Sequence, residues 1–139
     1  MTAEALVCRF FLLDDVPTDT QQQASTRVLR ELPSRHHVNL YYWYYGTMAM
    51  YQTGGKAWET WNEALKRSLL STQINLGEDL GSWNPDGLWA GYGGRVYSTA
   101  MAALCLEVYY RYLPMYEVAE LENAQKSVER QAGRIIRLR

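Results

Sequence analysis

Chemistry in this chain would have to come from a few clusters. Three carboxylates, Asp14, Asp15 and Asp19, gather around Pro17, and two imidazoles adjoin at His36-His37. Paired carboxylates can serve as general acid and base. Asp14-Asp15, however, stand where an apolar helical pattern stops, which favours a solvated turn with N-cap duty. His36 and His37 follow Pro33 in a loop pattern, and the only thiols are Cys8 and Cys105. Two thiols make neither a disulfide framework nor a zinc site. Both lie among apolar residues and read as buried structural thiols. The oxygens of Asp79, Asn84 and Asp86 do not follow EF-hand spacing, and Asn84-Pro85-Asp86-Gly87 reads as a β-turn. The run Tyr41-Tyr42-Trp43-Tyr44-Tyr45 remains. Aromatic faces stabilise cations and hold apolar or sugar-like ligands. Five consecutive residues point all round a helix, so only one or two can face a cavity. Tyr42 and Trp43 are taken as candidate ligand contacts, the others as core.

The elements that must position these groups are helices. Residues 2–13 place Ala3, Leu6, Val7, Phe10 and Phe11 at helical spacing, with Thr2 as a candidate cap. Thr18 to Leu32 carries a narrow stripe of Val28, Leu29 and Leu32 and is ended by Pro33. In residues 38–52, Asn39 is a candidate N-cap and Gly54-Gly55 a stop. Strand propensity is high in the aromatic run, but no period-2 alternation accompanies it, so helix is expected. Lys56 to Thr72 is amphipathic, with Trp58, Trp61, Leu65 and Leu69 on one stripe. Six glycines within residues 73–95, together with Pro85, predict a long irregular loop. Tyr97 to Tyr112 is a fifth helix with Ala100, Ala103, Leu104 and Val108 as its apolar positions, ended by Pro114. From Val118 to Ile135, through Leu121, Gln125, Val128 and Ala132, runs a heptad-like seam. Arg130, Arg134, Arg137 and Arg139 suit the negative end of that helix.

Composition bounds what such helices can do. The chain has 139 residues, 47% of them apolar and 21% charged, which suits one folded domain or a piece of one. Fourteen basic against fifteen acidic residues leave a net charge of -1, too balanced to attract nucleic acid or an anionic membrane. No apolar run reaches the roughly 18 residues of a spanning helix. The opening Met1-Thr2-Ala3-Glu4 lacks a basic segment followed by an apolar one, so a chain starting there is expected in the cytoplasm.

A repeat runs through the helices. Thr2-Ala3-x-Ala5-x-x-Cys8 matches Thr99-Ala100-x-Ala102-x-x-Cys105, and Gly46 aligns with Ala3 and Ala100 at spacings of 43 and 54 residues. Such a period predicts stacked helical hairpins with a shared inner layer. Gln73 followed by Gly81-Ser82-Trp83 resembles the Gln-and-Trp repeat signature of squalene cyclases and prenyltransferase-like repeat proteins. The segments Tyr41 to Gly46, Gln52 to Gly55 and Trp58-x-x-Trp61-Asn62 resemble the hairpin before that signature. Tyr97 to Ala100 and Tyr109 to Pro114 resemble the one after it. Seven residues separate Gln73 from Gly81, a longer gap than the family has.

The resemblance implies an all-α fold of α/α-toroid type, as an incomplete ring or short solenoid. Its domains would be a repeat domain over residues 1–116 and an amphipathic tail over 117–139. It gives Gln73, Gly81 and Trp83 a fold-holding role. A Gln both donates and accepts, and a Trp covers the bonded junction with an apolar face. Catalysis does not carry over. The DxDD acid of terpene cyclases, the zinc ligands of protein prenyltransferases and the thioester motif of the complement-like branch have no counterpart here. The expectation is a non-catalytic scaffold or binding module without cofactor. It would pair with copies of itself or with the remainder of a larger chain, and take an apolar small molecule at most. The alternatives are a fragment of an isoprenoid or terpenoid cyclase whose acid lies elsewhere, and a carbohydrate-binding helical toroid.

Overall fold

A computed structural model describes residues 1–12 and 16–111. The chain divides into two units, Met1–Val108 and Tyr109–Arg139. Asp14, Asp15, the end of the fifth helix at Tyr112 to Pro114, and the tail seam lie outside the described residues.

The described residues are helical, without a strand among them. The helices are α1 (Thr2–Leu12), α2 (Thr18–Val28), α3 (Leu40–Thr53) and α4 (Gly55–Leu70), then α5 over residues 90–111. α1 packs on α3 and on α2, and α3 on α4 and on α2. The aromatic run is helical because helix geometry uses it. Tyr41 and Tyr45, four residues apart, bring their rings to 4.9 Å. At the start of α3 the Asn39 side chain accepts the Tyr42 amide at 3.1 Å, which satisfies one of the donors a helix start leaves free. Gly54 ends α3, and α4 starts at the next residue.

The core sits where α3 meets α4. Trp61 is fully buried, and its indole Nε1 donates to the Thr47 hydroxyl at 2.9 Å. That hydroxyl donates in turn to the Trp43 carbonyl at 2.6 Å. The relay leaves no buried polar atom of Trp61 or Thr47 unbonded. Helix-to-helix approach here is set by Gly46, where an added Cβ would lie 2.3 Å from Trp61 Cζ2. Leu6, Val28, Leu65 and Leu69 complete this core, each no more than 2% exposed.

Several sequence expectations are corrected. α2 stops at Val28, before the Leu32 that the stripe included, and Leu32 is exposed. Its carboxyl end turns away through backbone bonds from Arg30 to Arg27 and from Glu31 to Val28. Thr2 lies inside α1, not at its cap; Ala5 bonds back to the Met1 carbonyl. α5 begins at residue 90 and absorbs Gly91, Gly93 and Gly94, assigned above to a loop. Two of these positions call for glycine: Gly94 takes φ +59, and an added Cβ at Gly93 would lie 2.4 Å from Tyr97 Cβ.

The repeat does not share an inner layer between its first and last copies. Ala3 is buried where Ala100 is exposed; Ala5 and Cys8 are exposed where Ala102 and Cys105 are buried. Neighbours decide the face: α1 packs on α2 and α3, whereas α5 puts Cys105 Sγ 3.8 Å from the Leu40 carbonyl. The buried positions of α5 are Ala90, Ser98, Ala102, Cys105 and Val108. Ala100 is therefore not a core residue.

Candidate functional site

Gln73, Gly81 and Trp83 meet at the end of α4. Gln73 Nε2 donates to the Gly81 carbonyl at 3.0 Å. Beside it, Ile74 and Ser82 pair through the Ile74 amide (2.9 Å), and the Gly81 amide donates to Ile74 at 2.8 Å. Gly81 takes φ +83, which allows the chain to close on itself there. These bonds fasten the ends of the loop 74–82. Arg95 of α5 braces its middle, pairing with Asp79 at 3.2 Å and donating to Ser82 Oγ at 3.2 Å. Trp83 is buried. Its indole donates to the Leu69 carbonyl at 2.9 Å, an acceptor it shares with the Thr72 and Gln73 amides where the helix ends. Its amide donates to Thr99 Oγ1 at 3.2 Å, so the residue ties α4 to α5. The donors Gln73 Nε2, Trp83 Nε1 and the Trp83 amide are all spent on the fold.

The other sequence candidates lie at a different place. Tyr42 and Trp43 line a cleft of about 520 Å³ with Arg30, Glu31, Leu32, Ser34, His37 and Asn39. The carboxyl end of α2, the loop to α3 and the first turn of α3 position them. Ser68 of α4 holds that loop by donating to the Pro33 carbonyl at 2.9 Å. Trp43 is 3% exposed and contributes only an edge. Tyr42 is half-buried; its hydroxyl donates to the Val28 carbonyl at 2.9 Å, and its ring meets Trp61 edge-on at 5.8 Å. Burial, with the negative charges of Glu31 and Glu4, pushes its phenol up to about 12. A second groove of about 470 Å³ shares Glu31, Asn39 and Tyr42 with the first and reaches Tyr41 and Trp89.

The thiols differ from expectation. Cys105 is buried and burial pushes its thiol up to about 12, but Cys8 is exposed. Among the described residues, no three of His, Cys, Asp and Glu gather as metal ligands. Asp79 is spent on Arg95. Asp86 bonds to the Asn84 carbonyl at 2.8 Å, closing three residues around Pro85 instead of the four of a β-turn.

Comparisons with family models, with curated proteins and with solved structures give no match.

Sequence reasoning missed one surface. Leu88 (68% exposed), Trp89 (50%), Tyr92 (91%) and Val96 (81%) stand together where α5 begins. Trp89 stands in the turn before α5 with its ring 6.5 Å from that of Tyr92 in the first turn, and Val96 follows Gly94, whose φ of +59 departs from the helical value. The signal in the sequence is Trp-x-x-Tyr-x-x-x-Val, set within a glycine-rich segment read as loop.

Proposed function

We propose that this chain is a non-catalytic helical scaffold that assembles with copies of itself through Leu88, Trp89, Tyr92 and Val96. The carrying observation is the exposure of two aromatic and two aliphatic side chains within residues 88–96, with the Trp89 and Tyr92 rings 6.5 Å apart. Aromatic residues dominate the energetics of protein interfaces, and contiguous apolar patches mark them. The neighbouring charge is already neutralised, since Arg95 pairs with Asp79. A patch of this kind meets its own copy across a two-fold axis without like-charge repulsion. The likeness to toroid repeats fits this reading. Gln73 and Trp83 tie the end of α4 to loop and α5, so successive helices are fastened to one another at their ends. An edge helix in such a stack presents a face that the next unit covers.

Sedimentation velocity on the full chain tests the reading. At tens of micromolar the wild type is expected to sediment as an oligomer. The double variant Trp89→Ser, Tyr92→Ser should sediment as a monomer with an unchanged helical spectrum. A monomeric wild type would refute it.

A further inference from the structure

Apart from the assembly surface, we propose that the cleft between the end of α2 and the start of α3 binds a short, neutral oligosaccharide. Its lining selects the class. Leu32 and the ring of Tyr42 give it an apolar wall, and Arg30, Glu31, His37 and Asn39 bring polar groups. Arg30, Glu31 and His37 make no side-chain hydrogen bond or ion pair among the described residues. Asn39 spends its carbonyl oxygen on the Tyr42 amide and keeps its two N–H donors.

This mixture is unsuited to the simpler ligands. An anion would meet the Glu31 carboxylate, and a cation the Arg30 guanidinium. A purely apolar molecule would strip water from four polar side chains and return no hydrogen bonds. A sugar hydroxyl both donates and accepts, so vicinal hydroxyls satisfy Arg30 and Glu31 together. The C–H face of a pyranose packs on an aromatic ring, the role left to Tyr42. The volume of about 520 Å³ falls within the range of small-molecule sites. The adjoining groove of about 470 Å³ continues past Tyr42 to the exposed Tyr41, which gives a linear chain a second aromatic contact. That continuity favours an oligosaccharide over a single sugar.

The probes are cellotetraose, maltotetraose and chitotetraose, titrated into the full chain and followed by saturation-transfer NMR and by intrinsic fluorescence. At least one is expected to bind saturably below about 10 mM. Glu31→Gln and Arg30→Met replace exposed side chains that hold nothing in the fold, so both should melt like the wild type. Each should weaken binding about tenfold or more, the loss of a hydrogen bond to a charged group. Two results overturn the proposal: no saturable binding of any of the three by folded protein, or binding that neither substitution weakens.

Discussion

Replacing Gly46 by Ala adds one methyl group where α3 and α4 touch most closely. The new Cβ would lie 2.3 Å from Trp61 Cζ2 and 2.4 Å from Cη2, where carbon atoms need more than 3 Å. The obstacle is a rigid ring, fully buried, whose Nε1 is held by Thr47. Either the helices separate by about an ångström, or the indole turns and leaves the hydroxyl. Overpacking of this kind costs about 1–3 kcal/mol. Turning the ring adds about 1–3 kcal/mol for the stranded donor. Against this, Ala is better than Gly inside a helix by about 1 kcal/mol. The packing term wins, for a net loss of about 1–5 kcal/mol, or roughly 5–25 °C in Tm for a domain near a hundred residues. Urea and thermal unfolding followed by circular dichroism measure it. Trp61→Leu removes the ring, so Gly46→Ala made in that background should be neutral or stabilising by up to about 1 kcal/mol. If Gly46→Ala leaves the otherwise wild-type protein as stable or more so, the close approach of α3 and α4 is wrong.

Trp83→Phe keeps an aromatic ring over the α4 junction but removes one of several bonds to the Leu69 carbonyl, at a cost of about 0.5–1.5 kcal/mol, while Trp83→Ala should cost about 3–5 kcal/mol; equal melting of both variants and wild type would show that the ring holds nothing. Iodoacetamide at mildly alkaline pH should label one thiol of the native chain, at Cys8, with Cys105 reacting only after unfolding. Peptide mapping that finds Cys105 labelled in folded protein would contradict its burial.

The helical class was legible because long apolar periods survive whatever they pack against. Asn39 before an apolar run was enough to place the start of α3. Which face is buried was less legible. The Thr-Ala-x-Ala pattern occurs twice, and its members are buried in opposite alternation, since burial depends on which helix arrives from elsewhere in the chain. Glycine hid the first turn of α5, where propensity argued for a loop although the backbone at Gly93 and Gly94 calls for that residue. For the cleft, Tyr42 and Trp43 stood out by residue type. Their partners Arg30, Glu31 and His37 did not, because only the turn after α2 brings them alongside. The gap between Gln73 and Gly81, longer than in the resembling repeats, is taken up by a loop that returns to its own start.

The fastening of that loop at Ile74, Gly81 and Ser82 separates its interior from the rest of the fold in a way that bears on how such a chain evolves. Its ends meet through their own backbone and α5 grips it at Asp79 and Ser82, so the helices do not register how many residues lie between Ile74 and Asp79. Doubling the enclosed length costs only about 0.6 kcal/mol of closure entropy. Leu76, Gly77 and Glu78 stand exposed at its tip. The junction at Gly54, one residue between two packed helices, offers no such latitude, since any insertion there would displace Trp61 from Thr47. Within one helical scaffold, therefore, length is free to vary at one connection and held fixed at another. New surface, a recognition segment or a second domain, has its point of entry between Ile74 and Asp79.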